Sequence, residues 1–206
     1  MSRHERPRPP RARASRLLIA STAARLMAED GSITPGLAKQ KAARQLGLPE
    51  SAMLPNNAEV EAELRLYQAI YQSDAQPAEL FRLRAKACKI MEVLADFRPY
   101  LTGPVLDGTA GAASVIDLML FADSAKEVEI FLLNRNMTFE QAEIRALRHE
   151  KAEAALRLFT PEAEASLVIF PPHRERSHDR HHDGRPRERA RLETVLRLMQ
   201  RPCDGI

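Results

Sequence analysis

The first hundred residues alternate between stretches whose apolar positions recur at three- and four-residue steps and short breaks rich in Pro, Gly and Asn. That spacing lines up one apolar stripe along a helix. It predicts a first helix over residues 15–30, with Leu17, Leu18, Ala20, Ala24, Leu26 and Met27 on the stripe, ended by Gly31. Thr34 followed by Pro35 marks a second start, because proline's fixed φ and missing N–H suit the first helical position. This helix carries Leu37, Ala38, Ala42, Ala43 and Leu46 and stops at Gly47. A third is predicted over residues 58–72, turning Val60, Leu64, Tyr67, Ala69, Ile70 and Tyr71 inward. After a break at residues 74–77, a fourth runs over 78–97 and buries Leu80, Leu83, Ala87, Ile90, Met91, Leu94 and Phe97.

At Pro99 the period changes. Residues 101–106 and 115–121 are short apolar runs bounded by turn residues, which is a strand signal. Residues 107–113 between them are rich in Gly and Ala and read as a loop or tight turn. Ala122, Asp123 and Ser124 supply a turn and an N-cap for a helix over 125–134. Residues 138–147 and 152–159 read as two more strands, with their Ala and Glu content leaving helix as an alternative, and 166–170 reads as a terminal strand closed by Pro171 and Pro172. Residues 187–200 form an amphipathic helix with Leu192, Val195, Leu196 and Met199 on one stripe. The expected class is α+β. A helical region (15–98) packs with a mixed sheet (99–172) and a C-terminal helix and tail (187–206).

Charge refines this picture at two places. The net charge is only +3, but Arg3, Arg6, Arg8, Arg11, Arg13 and Arg16 stand against the single acid Glu5. Residues 1–14 have no periodicity and are expected to be a disordered basic arm. A second basic stretch runs over residues 173–191, its first part (173–186) expected as a mobile loop. Such segments bind phosphate backbones without sequence preference, or simply solubilise the chain. RNA or a partner protein are the partners these arms suggest. His178, His181 and His182 lie with Asp179 and Asp183 in this stretch, donor types that suit a transition metal, though a solvated polar loop has the same composition.

Other function classes find no support. No apolar run approaches the roughly 20 residues that cross a bilayer, so no membrane is expected. Cys88 and Cys203 lie far apart without CxxC spacing, which favours a reducing, cytoplasmic setting with Cys88 as a small buried residue. Walker A, GxSxG, HExxH and GxGxxG patterns are all missing. Lys39, Lys41 and Arg44 faintly suggest a helix-turn-helix, but Pro49 and Pro55 break the second helix that would enter a groove.

The remaining constellation is Asp107-Gly108-Thr109, Gly111, and Ser114-Val115-Ile116-Asp117-Leu118. A strand, a Gly-containing turn, a second strand carrying an acid, then a helix and further strands resembles the nucleotidyltransferase superfamily that includes DNA polymerase beta and the minimal nucleotidyltransferases. The resemblance covers about a third of the chain. It implies a palm in which the N–H groups of a small turn cradle nucleotide phosphates, where a larger side chain would clash. Gly108, Thr109, Gly111 and Ser114 would then contact a nucleoside triphosphate such as ATP. It also implies two acids at i and i+2 of a strand, on one face, holding Mg²⁺. Asp117 is the candidate catalytic and metal-binding acid, with Asp107 as its nearest helper.

Four departures bear on activity. Val115 stands where the first acid of the pair belongs, Thr109 replaces the usual Ser, the Gly-to-Asp spacing is short, and residues 166–170 carry no third acid, Glu164 being the nearest. Two readings therefore remain open. One is a protein that binds a nucleoside triphosphate with Mg and transfers a nucleotidyl group. The other is a catalytically inactive palm that binds nucleic acid or protein.

Overall fold

Helix α1 (Pro10–Glu29) begins earlier than the apolar periodicity predicts. Proline at its first position costs no hydrogen bond, so the helix takes in residues 10–14 that composition assigns to the arm. The structure is a computed structural model and describes residues 10–31, 33–49, 53–142, 152–161, 163–177 and 188–200. The arm's residues 1–9, the His178–Asp183 run and Cys203 lie outside the described residues.

Residues up to Ser73 and those from Asp74 onward form two compact units. In the first, α1 packs with α2 (Pro35–Gln45) and α3 (Asn57–Tyr71). Ile19, Ala20, Ala23, Ala38, Ala42 and Val60 make its core. Small residues dominate, letting the helices approach closely. Of the expected α1 stripe, Ala20 and Ala24 are buried and Leu26 and Met27 pack on the core, but Leu17 and Leu18 are exposed while Ile19 and Ala23 are buried. Likewise α3 buries Val60, Leu64 and Gln68 and leaves Ile70 and Tyr71 exposed. Asn56 and Glu59 form a reciprocal capping box at the start of α3. The same Glu59 carboxylate accepts two bonds from Arg16, at 2.8 and 2.6 Å. Arg16 is therefore committed within its unit rather than part of a free arm.

In the second unit, α4 (Ala75–Val93) belongs with the sheet and not with the three preceding helices. Pro77 falls in its first turn, so the expected break at 74–77 ends at Asp74. Five strands follow: β1 (Tyr100–Thr102), β2 (Ile116–Phe121), β3 (Thr138–Ala142), β4 (Ala154–Phe159) and β5 (Glu164–Phe170). Their spatial order is β1-β2-β5-β4-β3, with β2 and β5 parallel and the other pairs antiparallel, so the sheet is mixed. Three further helices are α5 (Gly103–Asp107), α6 (Ala125–Asn134) and α7 (Leu192–Gln200). The α+β class expected from the periodicities is the observed one. Among the described residues no helix is long and apolar enough to cross a membrane.

The strand expected over residues 101–106 is a correction. It ends at Thr102, and Gly103 at φ +68 turns the chain into α5. Only glycine takes that conformation cheaply, and Pro104 behind it is preset for the first helical turn. Alternation along the strands separates the two faces of the sheet. Leu101, Ile116, Leu118, Leu120, Leu156, Leu158, Leu167 and Ile169 pack on α4, α6 and α7. The other face bears Tyr100, Met119, Phe121, Val168 and Phe170, and ends in a polar row.

Candidate functional site

That polar row crosses every strand. Register places Thr102 beside Asp117, Asp117 beside Ser166, Ser166 beside Arg157, and Arg157 beside Glu140. Residues opposite one another share a face, so these five polar residues lie together on the face away from α4. Thr102 is buried, Asp117 and Ser166 are half-buried, and Arg157 and Glu140 are exposed. Thr102 Oγ1 donates to the Asp117 carbonyl at 3.4 Å. Arg157 pairs at 3.0 Å with Glu164, two residues before Ser166 on the same face.

The glycine that meets Asp117 is Gly103, not Gly108. A Cβ built on Gly103 would lie 2.6 Å from Asp117 Oδ2, whereas one on Gly108 would meet only Arg84 and Leu80, both at 3.9 Å. The physical reason is the early end of β1, which places the sharp bend directly opposite Asp117 in register.

The Gly108 turn has a different role. Gly108, at φ +84, is the C-cap of α5. Its N–H and those of Thr109 and Ala110 all donate to the Pro104 carbonyl, at 3.0, 3.0 and 3.1 Å. The Gly111 N–H donates to Ser114 Oγ at 2.9 Å, and the Ser114 N–H returns to the Gly111 carbonyl at 3.0 Å. Thr109 is buried. A phosphate cradle needs N–H groups that point outward. Here the N–H groups of Gly108, Thr109, Ala110, Gly111 and Ser114 point into the loop itself.

Two side chains of α4 fix this loop, and neither was singled out from the sequence. Gln76 Nε2 donates to the carbonyls of Gly108 and Ala110, both at 2.9 Å. Arg84 donates through Nε to the Val105 carbonyl and through Nη2 to the Leu106 carbonyl, both at 3.0 Å. Arg84 thereby satisfies carbonyls that a five-residue helix leaves open. In the sequence Arg84 reads as a polar position of an amphipathic helix and Gln76 falls in the expected break at 74–77; no local signal distinguishes either.

Mg²⁺ sheds its waters only where several charged oxygens converge. Along its own face of β2 Asp117 is followed by Met119, and Val115 precedes the strand. Glu164 is committed to Arg157. Asp107 is exposed at the end of α5. Among the described residues no three His, Cys, Asp or Glu side chains gather at one place. Among the described residues, the donors around Asp117 do not make up the two-metal arrangement that the resemblance implies.

A second polar cluster lies two residues along β1 from Thr102. Glu175, in the 3-10 turn Pro172–Arg176, accepts from Arg98 at 2.8 Å, from Tyr100 at 3.0 Å and from Arg191 at 2.9 Å. Arg191 Nε donates to the Tyr100 hydroxyl at 2.6 Å, which holds the guanidinium even more firmly in its charged form. Arg189 lies over the rings of Tyr100 and Phe121, at 4.9 and 5.7 Å from their centroids, and donates to the Glu175 carbonyl. Comparisons with known proteins place no relative beside the chain: no family model, no curated protein and no solved structure matches it.

Proposed function

We propose that this chain is a nucleotidyltransferase-like palm without the two-metal chemistry, serving as a module that binds single-stranded nucleic acid through the phosphate backbone. The observations that carry the first half are the internal bonding of the N–H groups of Gly108, Thr109, Ala110, Gly111 and Ser114, and Asp117 as the one acid on β2. Such a loop offers a triphosphate little to hold. The second half is supported by the basic residues of the stretch from His173 onward: Arg189 and Arg191 stand with Arg98 on the same face as the polar row. Electrostatic attachment to a backbone needs positive charge on an accessible face and no sequence-reading groove.

A second reading has one observation in its favour. Asp117 is half-buried against the Gly103 bend on an open sheet face, and a single acid beside Ser166 and Thr102 is a place where a nucleotide's hydroxyl or a lone cation would be met.

The test is fluorescence anisotropy of a labelled oligoribonucleotide over a salt series, in Mg²⁺ and in EDTA. The expected result is binding that weakens steeply with salt and is the same in both. Binding that requires Mg²⁺ and is lost in Asp117→Ala would favour the second reading. An unlabelled protein competitor with an acidic surface that displaces RNA would point to a protein partner.

A further inference from the structure

Ala190 forms a β-bridge to Leu101, with N–H to carbonyl bonds of 2.8 and 2.9 Å in both directions. Its side chain joins the helix-side core. Alternation then sends Arg189 and Arg191 together to the opposite face, where Tyr100 stands. Arg98 reaches the same point from a left-handed backbone at φ +47, a conformation that non-glycine residues rarely adopt. Two guanidinium groups, Arg98 and Arg191, thus hold the Glu175 carboxylate, and a third, Arg189, holds its backbone carbonyl, so three positive charges meet one negative charge.

One further donor is unused. Arg189 Nη1 is buried with no hydrogen-bond partner among the described residues. A buried charged donor without an acceptor is costly, so its retention asks for an explanation. Arg98 and Arg191 are open to solvent, at 45% and 68% side-chain exposure, while Glu175 is at 14%. The arrangement is an anion-binding fork already filled by an anion of the chain's own.

We propose that Arg98, Arg189 and Arg191, set around Tyr100, form a phosphate-binding site in which a ligand phosphate takes the place of the Glu175 carboxylate. Guanidinium pairs match the oxygens of phosphate as they match carboxylate, and a phosphate has a third oxygen to offer Arg189. Tyr100 supplies a hydroxyl donor at the same point. The inference rests on the reading that this basic segment meets a phosphate backbone and narrows it to one place. The same chemistry would accept a free pyrophosphate or nucleotide.

The test uses the full chain, a labelled oligoribonucleotide, and inorganic pyrophosphate as a separate probe. Glu175→Gln keeps the shape and removes the competing charge. It should bind the oligoribonucleotide roughly 10-fold more tightly, and Arg98→Ala and Arg191→Ala roughly 10-fold less tightly with a shallower salt slope. Both arginines are exposed, and an unchanged thermal midpoint checks that each variant is folded. If wild type binds RNA and these variants bind equally well, the site is wrong while the nucleic-acid reading stands. If RNA does not bind but pyrophosphate raises the thermal midpoint of wild type and not of Arg191→Ala, the site stands and the nucleic-acid reading falls. No effect of either probe overturns both.

Discussion

The Asp117 carboxylate lies over the Cα of Gly103 so closely that a methyl group there would stand 2.6 Å from Oδ2. The contact follows from register, because Thr102 opposes Asp117 and the chain bends immediately afterwards. Gly103→Ala would force a left-handed alanine, losing about 1–2 kcal/mol, and would also push the carboxylate aside. Asp117→Ala removes the second cost and leaves the first. Urea unfolding of the two single variants and the double variant should therefore give a double variant more stable than additivity predicts. Strict additivity would mean the two residues do not meet.

Gln76 ties α4 to the loop through two carbonyls. Gln76→Ala should destabilise the second unit by about 1–2 kcal/mol, the size expected when hydrogen bonds to partly buried carbonyls are lost. Amide hydrogen exchange is the more specific check. The N–H groups of Gly108, Thr109 and Ala110 should exchange faster in the variant while those of β2 hold their protection.

Lys39 donates to Asn57 Oδ1 at 2.8 Å, and burial lowers its pKa below the usual 10.5 despite the pull of Glu59. The folded chain then binds fewer protons than the unfolded one in the interval between the lowered value and 10.5. Stability attributable to this group is lowest below that interval and rises with pH through it. The difference in unfolding free energy between wild type and Lys39→Met should move in favour of wild type as pH rises from about 8 toward 10.5. A difference that does not change with pH would contradict the burial argument.

Cys88 is buried on α4 with its Sγ 3.9 Å from Met199 Sδ on α7. Burial, and then Glu92, pushes its thiol up from the ordinary value. The thiolate is the reactive form, so alkylation near pH 8 should be slow in the folded chain and fast after unfolding. Cys203→Ser leaves Cys88 as the one thiol, and rapid labelling of that folded variant would show Cys88 to be accessible.

The sheet was legible because strand alternation and Gly/Pro punctuation are local signals. The Ser124 cap, which accepts from the Glu127 N–H at 3.3 Å, and the burial of Leu83, Ala87, Met91 and Leu94 follow directly from the sequence pattern. Where the pattern misled, a small residue was responsible. In α1 the expected Ala20 and Ala24 are buried, but Leu17 and Leu18 were placed on the stripe where Ile19 and the small Ala23 are the buried residues. At residues 101–106 the apolar run hid the Gly103 bend, because Val105 and Leu106 pack on the core from a helix as well as from a strand.

The site was less legible than the fold. Asp117 was identified from the strand, but its neighbour depends on where β1 stops, which no local rule fixes. The turn at Gly108 had the composition of a phosphate cradle, yet the direction of its N–H groups depends on the Pro104 carbonyl and on Gln76, a residue 32 positions away. The pair Arg189 and Arg191 fell within residues 187–200, expected as one helix, whereas α7 begins at Leu192. The meaning of the pair appears only once Ala190 is bridged to Leu101 and Glu175 is brought beneath both.

The central claim is that the palm binds without two-metal nucleotide chemistry, and calorimetric titration with Mg-ATP beside Asp117→Ala addresses it most directly. Heat from ATP that is the same in both proteins and the same in Mg²⁺ and in EDTA, under conditions where an oligoribonucleotide binds both equally, is the predicted result. Saturable heat from Mg-ATP in wild type that disappears in Asp117→Ala would contradict it.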